Sequence, residues 1–383
     1  MKLAGLTWWR NNYGSILQAY ALQEELNSIP GISYEIINQY GKKIASFDNL
    51  IDKIKTIGIK KTIQRIFWKF GMKKLRNRSF NIQKFTDEKL RISSNQYSED
   101  TIAQANKKYE GFVCGSDQVW NPTLTDINSM YWLGFSDDIK LRFSYAPSIG
   151  VDGVSEEEAK VIRKNLRRFH GVSCREETGT ELINNIIGTN QCRTVLDPTL
   201  MVEKSVWDKL CPESKFKEPY IFVYMLRGTK EQRCMIEKFA KKVNLKIITM
   251  PFMEPEYAVW YDFKFGDFKY WDAGPDEFIS VIKNASYVFT DSFHSSVFSI
   301  LYHVPFFTFP KVGKAQMSRI INLQKILNID SRMVYNENDI NCVFQKKIDW
   351  KSVDEILDGK RIISQQYIRK VIRKYDEGIC SSV

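Results

Sequence analysis

Three histidines occur in the 383 residues, and one of them, His294, stands in the run Asp291-Ser292-Phe293-His294-Ser295-Ser296. An unperturbed imidazole titrates near pH 6.5, so it can give or take a proton near neutrality. Ser292, Ser295 and Ser296 surround it with small hydroxyls, and a helix start offers unpaired N–H groups to an anion. The other two histidines read as structural: His170 ends a charged helix, and His303 lies on a following helix between Tyr302 and Val304. Asp117, in Gly115-Ser116-Asp117-Gln118, follows an apolar strand. It is either a brace for its own backbone or a ligand for a substrate hydroxyl. Arg175 follows Val172-Ser173-Cys174 and precedes two glutamates. Its guanidinium suits a carboxylate or phosphate, or a neighbouring glutamate. Arg319 is a second candidate anion clamp, while Lys311 and Lys314 read as solvated lysines.

These residues need strands and helices to position them. Lys2 to Thr7 reads as a first strand, and Ile16–Leu26 as a helix with its apolar residues on one face. Gly14-Ser15 between them is a close-approach turn, not a dinucleotide fingerprint. Further strands are expected at 33–38, 109–114, 141–146, 171–174 and 194–196. A charged helix over 155–169 carries Ser155 as N-cap and Glu158 at the capping-box position. A second series begins near Pro219, with strands at 220–226, 245–250, 287–290 and 306–309. Helices are expected at 230–243 and 276–284, then an apolar one from Val297 to Tyr302. Alternating strands and helices imply an α/β fold with parallel sheets in two similar domains. The expected division is 1–210, 215–345 and a C-terminal helix in 350–383 that packs back on the first domain.

Composition narrows the function classes. Hydrophobic residues make up 43% and charged residues 26% of the chain, an ordinary globular balance. The seven cysteines are scattered without CxxC spacing, which fits reduced thiols rather than a disulfide framework or zinc site. The first residues, MKLAGLTWWRNNYG, do not read as a signal peptide, and no apolar run is long enough to span a membrane. The net charge of +11 is concentrated: residues 51–85 hold eleven Lys/Arg against the single acid Asp52, a local +10. Ile59, Ile63, Ile66, Phe67 and Phe70 recur there at helical spacing, with lysines and arginines between them and Trp68 beside them. This pattern predicts an amphipathic insertion, about 45–90, whose residues 51–78 rest on an anionic membrane surface. No recognised nucleic-acid module accompanies it.

Five motifs occur in order: Asn12-Tyr13-Gly14-Ser15-Ile16-Leu17-Gln18-Ala19-Tyr20, Gly115-Ser116-Asp117-Gln118-Val119-Trp120-Asn121-Pro122, Ser173-Cys174-Arg175-Glu176-Glu177, Asp197-Pro198-Thr199-Leu200 and Thr290-Asp291-Ser292-Phe293-His294. Together they resemble the polysaccharide pyruvyl transferase family. The resemblance implies two Rossmann-like domains with an interdomain cleft, similar to GT-B glycosyltransferases. It implies phosphoenolpyruvate as donor and a sugar hydroxyl pair as acceptor; that chemistry demands no metal or cofactor, and the acceptor sugar is expected on a lipid-linked or polymeric glycan. The product would be a pyruvate ketal. His294 maps to the expected general acid and Arg175 to the expected donor-binding arginine. Ser292, Ser295, Ser296 and Arg319 complete the expected donor side. By position rather than by the resemblance, Asp117 is a candidate catalytic base for a sugar hydroxyl, and Asn12, Tyr13, Gly14, Ser116 and Gln118 are the candidate acceptor side. Some branches of the family carry arginine where this chain has Ser292, so Arg319 is the candidate replacement. The expected location is the cytoplasmic face of the membrane. Two other readings stay open on the residues alone: a GT-B glycosyltransferase using a nucleotide sugar, and a non-catalytic, membrane-associated assembly protein.

Overall fold

The computed structural model describes residues 1–10, 12–39, 69, 71–252, 260–311 and 317–378. Residues 45–68 and 70 of the expected basic insertion, and Lys314, lie outside the described residues. The chain divides into two compact units. The first is Met1–Lys42, Thr86–Glu203 and Lys351–Val383; the second is Lys43–Phe85 and Lys204–Trp350. The described residues of the basic insertion up to Phe85 thus group with the second unit, not with the first as their place in the sequence suggested.

The first unit is built on a parallel five-stranded sheet in the order β3-β2-β1-β4-β5. Its strands are β1 (Lys2–Leu6), β2 (Ser33–Gln39), β3 (Ile92–Tyr97), β4 (Gly111–Cys114) and β5 (Leu141–Ser144). Strands β4 and β5 are buried along their whole length. Short apolar runs of this kind are what a parallel sheet covered on both faces requires. The helix Tyr13–Ser28 returns the chain from β1 to β2, and the helix Glu156–Leu166 begins at the Ser155–Glu158 capping box. A small parallel pair, β6 (Ser173–Cys174) and β7 (Arg193–Thr194), lies beyond β5. The C-terminal helix Trp350–Asp376 closes on this unit: Tyr367 donates to the Ser144 carbonyl at 3.0 Å, and the Leu196 amide donates to Ser364 at 3.0 Å. Gly171 lets the helix approach, because a Cβ there would overlap Val371.

The second unit repeats the plan, with β8 (Tyr220–Tyr224), β9 (Lys246–Thr249), β10 (Phe268–Lys269), β11 (Tyr287–Thr290) and β12 (Phe306–Thr308). The order is β10-β9-β8-β11-β12, again all parallel. Its core is aromatic, with Phe289 and Phe307 stacked at 4.3 Å and Phe239 edge-on to Phe289 at 5.3 Å.

Two strands escaped the sequence reading. β3 reads Ile-Ser-Ser-Asn-Gln-Tyr, without alternation, because it is an edge strand held on one side only by β2. β10 is two residues long at the edge of its sheet. The helix after β11 begins at Phe293, four residues before the expected Val297, because Ser292 caps it. His294 therefore stands in a helical turn rather than in a loop. His303 falls beyond that helix with φ +56° and stacks on Trp350 at 5.0 Å.

Candidate functional site

Each five-stranded sheet reverses its strand order once, between β1 and β4 in the first unit and between β8 and β11 in the second. In open α/β sheets ligands bind beyond the carboxyl ends of the strands at such a point. The motifs at Asn12, Gly115 and Thr290 lie at these two places, while those at Ser173 and Asp197 lie at or just beyond the small pair β6 and β7.

In the first unit Asn12 caps the helix after β1, its side chain accepting from the Gly14 amide at 2.9 Å. Ser15, in the first turn, donates its hydroxyl to Asp117 beyond β4. Thr7 at the end of β1 donates to the Ser116 carbonyl at 2.7 Å, and Gln18 donates to Thr7 at 2.9 Å. The two strand ends are thus laced together by side chains. Asp117 has φ +76°, a left-handed conformation that aspartate tolerates better than most residues. Its carboxylate also accepts from the Gln118 amide at 2.9 Å, and its carbonyl accepts from the Ser148 amide at 2.7 Å.

Arg175, at the end of the short strand β6, is 5% exposed and does not present an open guanidinium. Its Nη1 donates to Asp197 at 2.7 Å, and its Nε lies 3.7 Å from Glu176. Burial works against its charge, but Asp197, Glu176 and Asp117 outweigh that and raise its pKa. Asp197 also accepts from the Thr199 amide at 3.0 Å, and the Ser116 hydroxyl lies 3.2 Å from it. Glu176 accepts from the Ser148 hydroxyl. Four motifs that are far apart in sequence therefore meet in one buried network: Ser15–Asp117, Ser116–Asp197–Arg175, and Glu176–Ser148 returning to the Asp117 carbonyl.

This geometry gives two of the expected site residues internal partners. Arg175 directs Nη1 to Asp197, because a buried guanidinium needs a counter-charge where it stands. Ser116 is fully enclosed, so its hydroxyl supports the network instead of facing an acceptor. Tyr13 and Gly14 are buried as well, while Asn12 and Gln118 are half-buried. Ser148 and Asp197 are the network members that the sequence reading gave no role, whereas Glu176 is the neighbouring glutamate it offered as a partner for Arg175. Glu176 and Asp197 were visible inside the motifs; Ser148 had no signal of its own.

In the second unit Asp291 follows β11 and is fully buried. Its two carboxylate oxygens accept from the amides of Leu226 and Arg227, at 2.6 and 2.8 Å, and so pin the loop after β8. Burial raises the Asp291 pKa, while Lys311 and those two amides oppose the rise. Lys311 itself is half-buried. Ser292 caps the helix, its side chain accepting from the Ser295 amide. His294 is the second residue of that helix, 7% exposed, with its ring edge-on to Phe293 at 5.1 Å. Ser296 donates back to the Ser292 carbonyl at 3.1 Å, a common use of a helical serine, so its hydroxyl is not offered to an anion. Ser295 is fully buried and its hydroxyl has no hydrogen-bond partner among the described residues. Arg319 is half-buried in the first turn of the helix Ser318–Ile326. Asp291 and Arg227 were missed by the sequence reading; Asp291 stood in a quoted motif, whereas Arg227 carried no pattern. Among the described residues no group of three or more His, Cys, Asp or Glu could hold a metal ion.

A family model for polysaccharide pyruvyl transferase matches residues 12–310, so the chain belongs to that family. No curated protein matches it. Among solved structures it is similar to the UDP-GlcNAc 2-epimerase of Methanocaldococcus jannaschii, at 13% identity and TM-score 0.58, covering 97% of this chain and 100% of that one. The UDP-N-acetylglucosamine 2-epimerase of Rickettsia bellii gives 10% identity and TM-score 0.54, over 98% and 97% of the two chains. The Neisseria meningitidis UDP-GlcNAc 2-epimerase, bound to UDP-GlcNAc, gives 10% and 0.50, over 98% and 100%. At these identities the likeness concerns the fold, a GT-B-like pair of Rossmann-like units.

Proposed function

We propose that this member of the polysaccharide pyruvyl transferase family moves the pyruvyl group of phosphoenolpyruvate onto two hydroxyls of a sugar, forming a pyruvate ketal and releasing phosphate. The observation that carries the reading is His294: the motif histidine stands in the first helical turn at the strand-order reversal of the second unit. The imidazolium gives its proton to the methylene carbon of the donor, which leaves an oxocarbenium-like centre at C2. One sugar hydroxyl adds there and phosphate departs with a proton. The second hydroxyl closes the ketal. The two hydroxyl protons balance those taken by the methyl carbon and the phosphate, so His294 ends reprotonated. Ser292, Ser295 and Arg319 are the donor-side residues in this proposal. Asp117, already accepting from Ser15, is the candidate base for a sugar hydroxyl. Positioning and electrostatic stabilisation supply the rest of the rate. The acceptor is proposed to be lipid-linked, with the protein at the cytoplasmic face of the membrane; the basic window at 51–85 supports this.

Mass spectrometry of a panel of lipid-linked sugars incubated with phosphoenolpyruvate is expected to show the added pyruvate ketal. The His294→Ala variant is expected to keep its melting temperature and lose that product. Wild-type turnover in the variant removes His294 as the acid. Stabilisation of the protein by a nucleoside diphosphate and not by phosphoenolpyruvate replaces the donor with a nucleotide sugar.

A further inference from the structure

The second unit carries an aromatic row outside its main core. Trp260 lies 5.6 Å from Phe263, and Phe263 lies 5.6 Å from Trp271, with interplanar angles of 33° and 35°. Met72 packs here beside Leu75, which is buried. Trp260 is 53% exposed. A cation sits over each end: Lys74 is 5.5 Å from the Trp271 ring and Lys264 is 5.9 Å from the Trp260 ring, both lysines exposed.

The row is held firmly. Arg78 is buried and donates to the carbonyls of Pro251, Trp271 and Tyr270 at 2.7, 2.8 and 3.0 Å. Asn81 donates to the Asp272 carbonyl at 2.6 Å. These four bonds fix the chain that carries Met72 and Lys74 against the segment that carries Trp271. The side of the face carrying Met72, Lys74 and Trp271 is therefore preset, with Met72, Phe263 and Trp271 half-buried and Trp260 the exposed ring.

We infer that the face formed by Met72, Trp260, Phe263 and Trp271 with Lys74 and Lys264 docks on an anionic lipid surface. Indole rings settle at the boundary between headgroups and acyl chains, where one edge is wet and the other apolar. Lysine stems cover the rings while their ammonium groups reach the phosphates. The charge fits: Met72 and Lys74 belong to the sequence window of +10, which attracts anionic headgroups over a Debye length. The inference deepens the proposed membrane location and is independent of which reaction the protein performs.

The test is co-sedimentation of the full-length protein with vesicles of phosphatidylcholine alone and of phosphatidylcholine with phosphatidylglycerol. Binding is expected only to the latter. Lys74→Gln with Lys264→Gln should weaken it about thirtyfold, since each lysine near an anionic surface contributes a factor of about five. Quenching of tryptophan emission by brominated acyl chains should fall in Trp260→Phe. These are surface changes, so folding is retained. Undiminished vesicle binding in the double variant together with undiminished quenching in Trp260→Phe overturns the inference, while leaving the rest of the basic window as a membrane contact. Absence of any vesicle binding overturns it too, as does tighter binding to an oligonucleotide than to the anionic vesicles. None of these results bears on ketal formation, which is read separately on the lipid-linked sugar panel dispersed in detergent without vesicles.

Discussion

Replacing Arg175 with methionine keeps much of the side chain's length and removes its charge, which stands against Asp197 at 2.7 Å and near Glu176 at 3.7 Å. Both carboxylates are nearly enclosed, with side-chain exposures of 0% and 4%. Removing one partner of a buried ion pair costs about 3–5 kcal/mol, because the remaining charge stays desolvated. For a unit of this size each kcal/mol shifts the melting temperature by about 2–4 °C, so a fall of roughly 6–20 °C is expected. Asp197→Asn added to Arg175→Met should recover part of the loss, since the uncompensated carboxylate is then gone. The assay is thermal and urea unfolding of the wild type, the two single variants and the double variant, paired with the KM for phosphoenolpyruvate. An Arg175→Met variant within about 1 kcal/mol of wild type in stability, with KM for the donor greatly raised, would refute the internal role and return Arg175 to the donor.

Asp291→Ala should leave the Leu226 and Arg227 amides unpaired, at about 1–3 kcal/mol each, and speed their hydrogen exchange; unchanged protection of both amides contradicts the pinning of that loop. His170 gives a pH signature. Burial lowers its pKa below 6.5, so the folded state keeps it neutral while the unfolded chain binds the proton. Stability should therefore rise with pH across that window and be lost as pH falls below about 6.5. His170→Gln should flatten that part of the curve in urea titrations at several pH values, and an unaltered slope excludes the assignment.

Much of the fold was legible because buried parallel strands read as short apolar runs. Tyr220–Tyr224 and Tyr287–Thr290 announce themselves in this way. Edge strands do not: β3 is polar because only one side of it is hydrogen-bonded and much of it faces water. The start of the His294 helix was misplaced because a polar run can cap a helix or continue as loop. The Ser292 side chain, accepting from Ser295, decides between them. The described part of the basic insertion joins the second unit, and sequence order carries no record of the three carbonyls that receive Arg78 there.

Residue types and their order were enough to give the class of the fold, the family and the short motifs that matter, because such patterns survive without coordinates. They were also enough to mark His294 as a titratable group among serines beside a strand end. What each motif residue touches was settled only on folding. The packed chain turned Arg175 inward to Asp197, enclosed Ser116, and bent Ser296 back on its own helix. It also brought Asp291 to the amides of the β8 loop. The reason is physical: a charged or polar group buried on folding must find its partner, and that partner is chosen by the packing of distant strands rather than by neighbours in the chain.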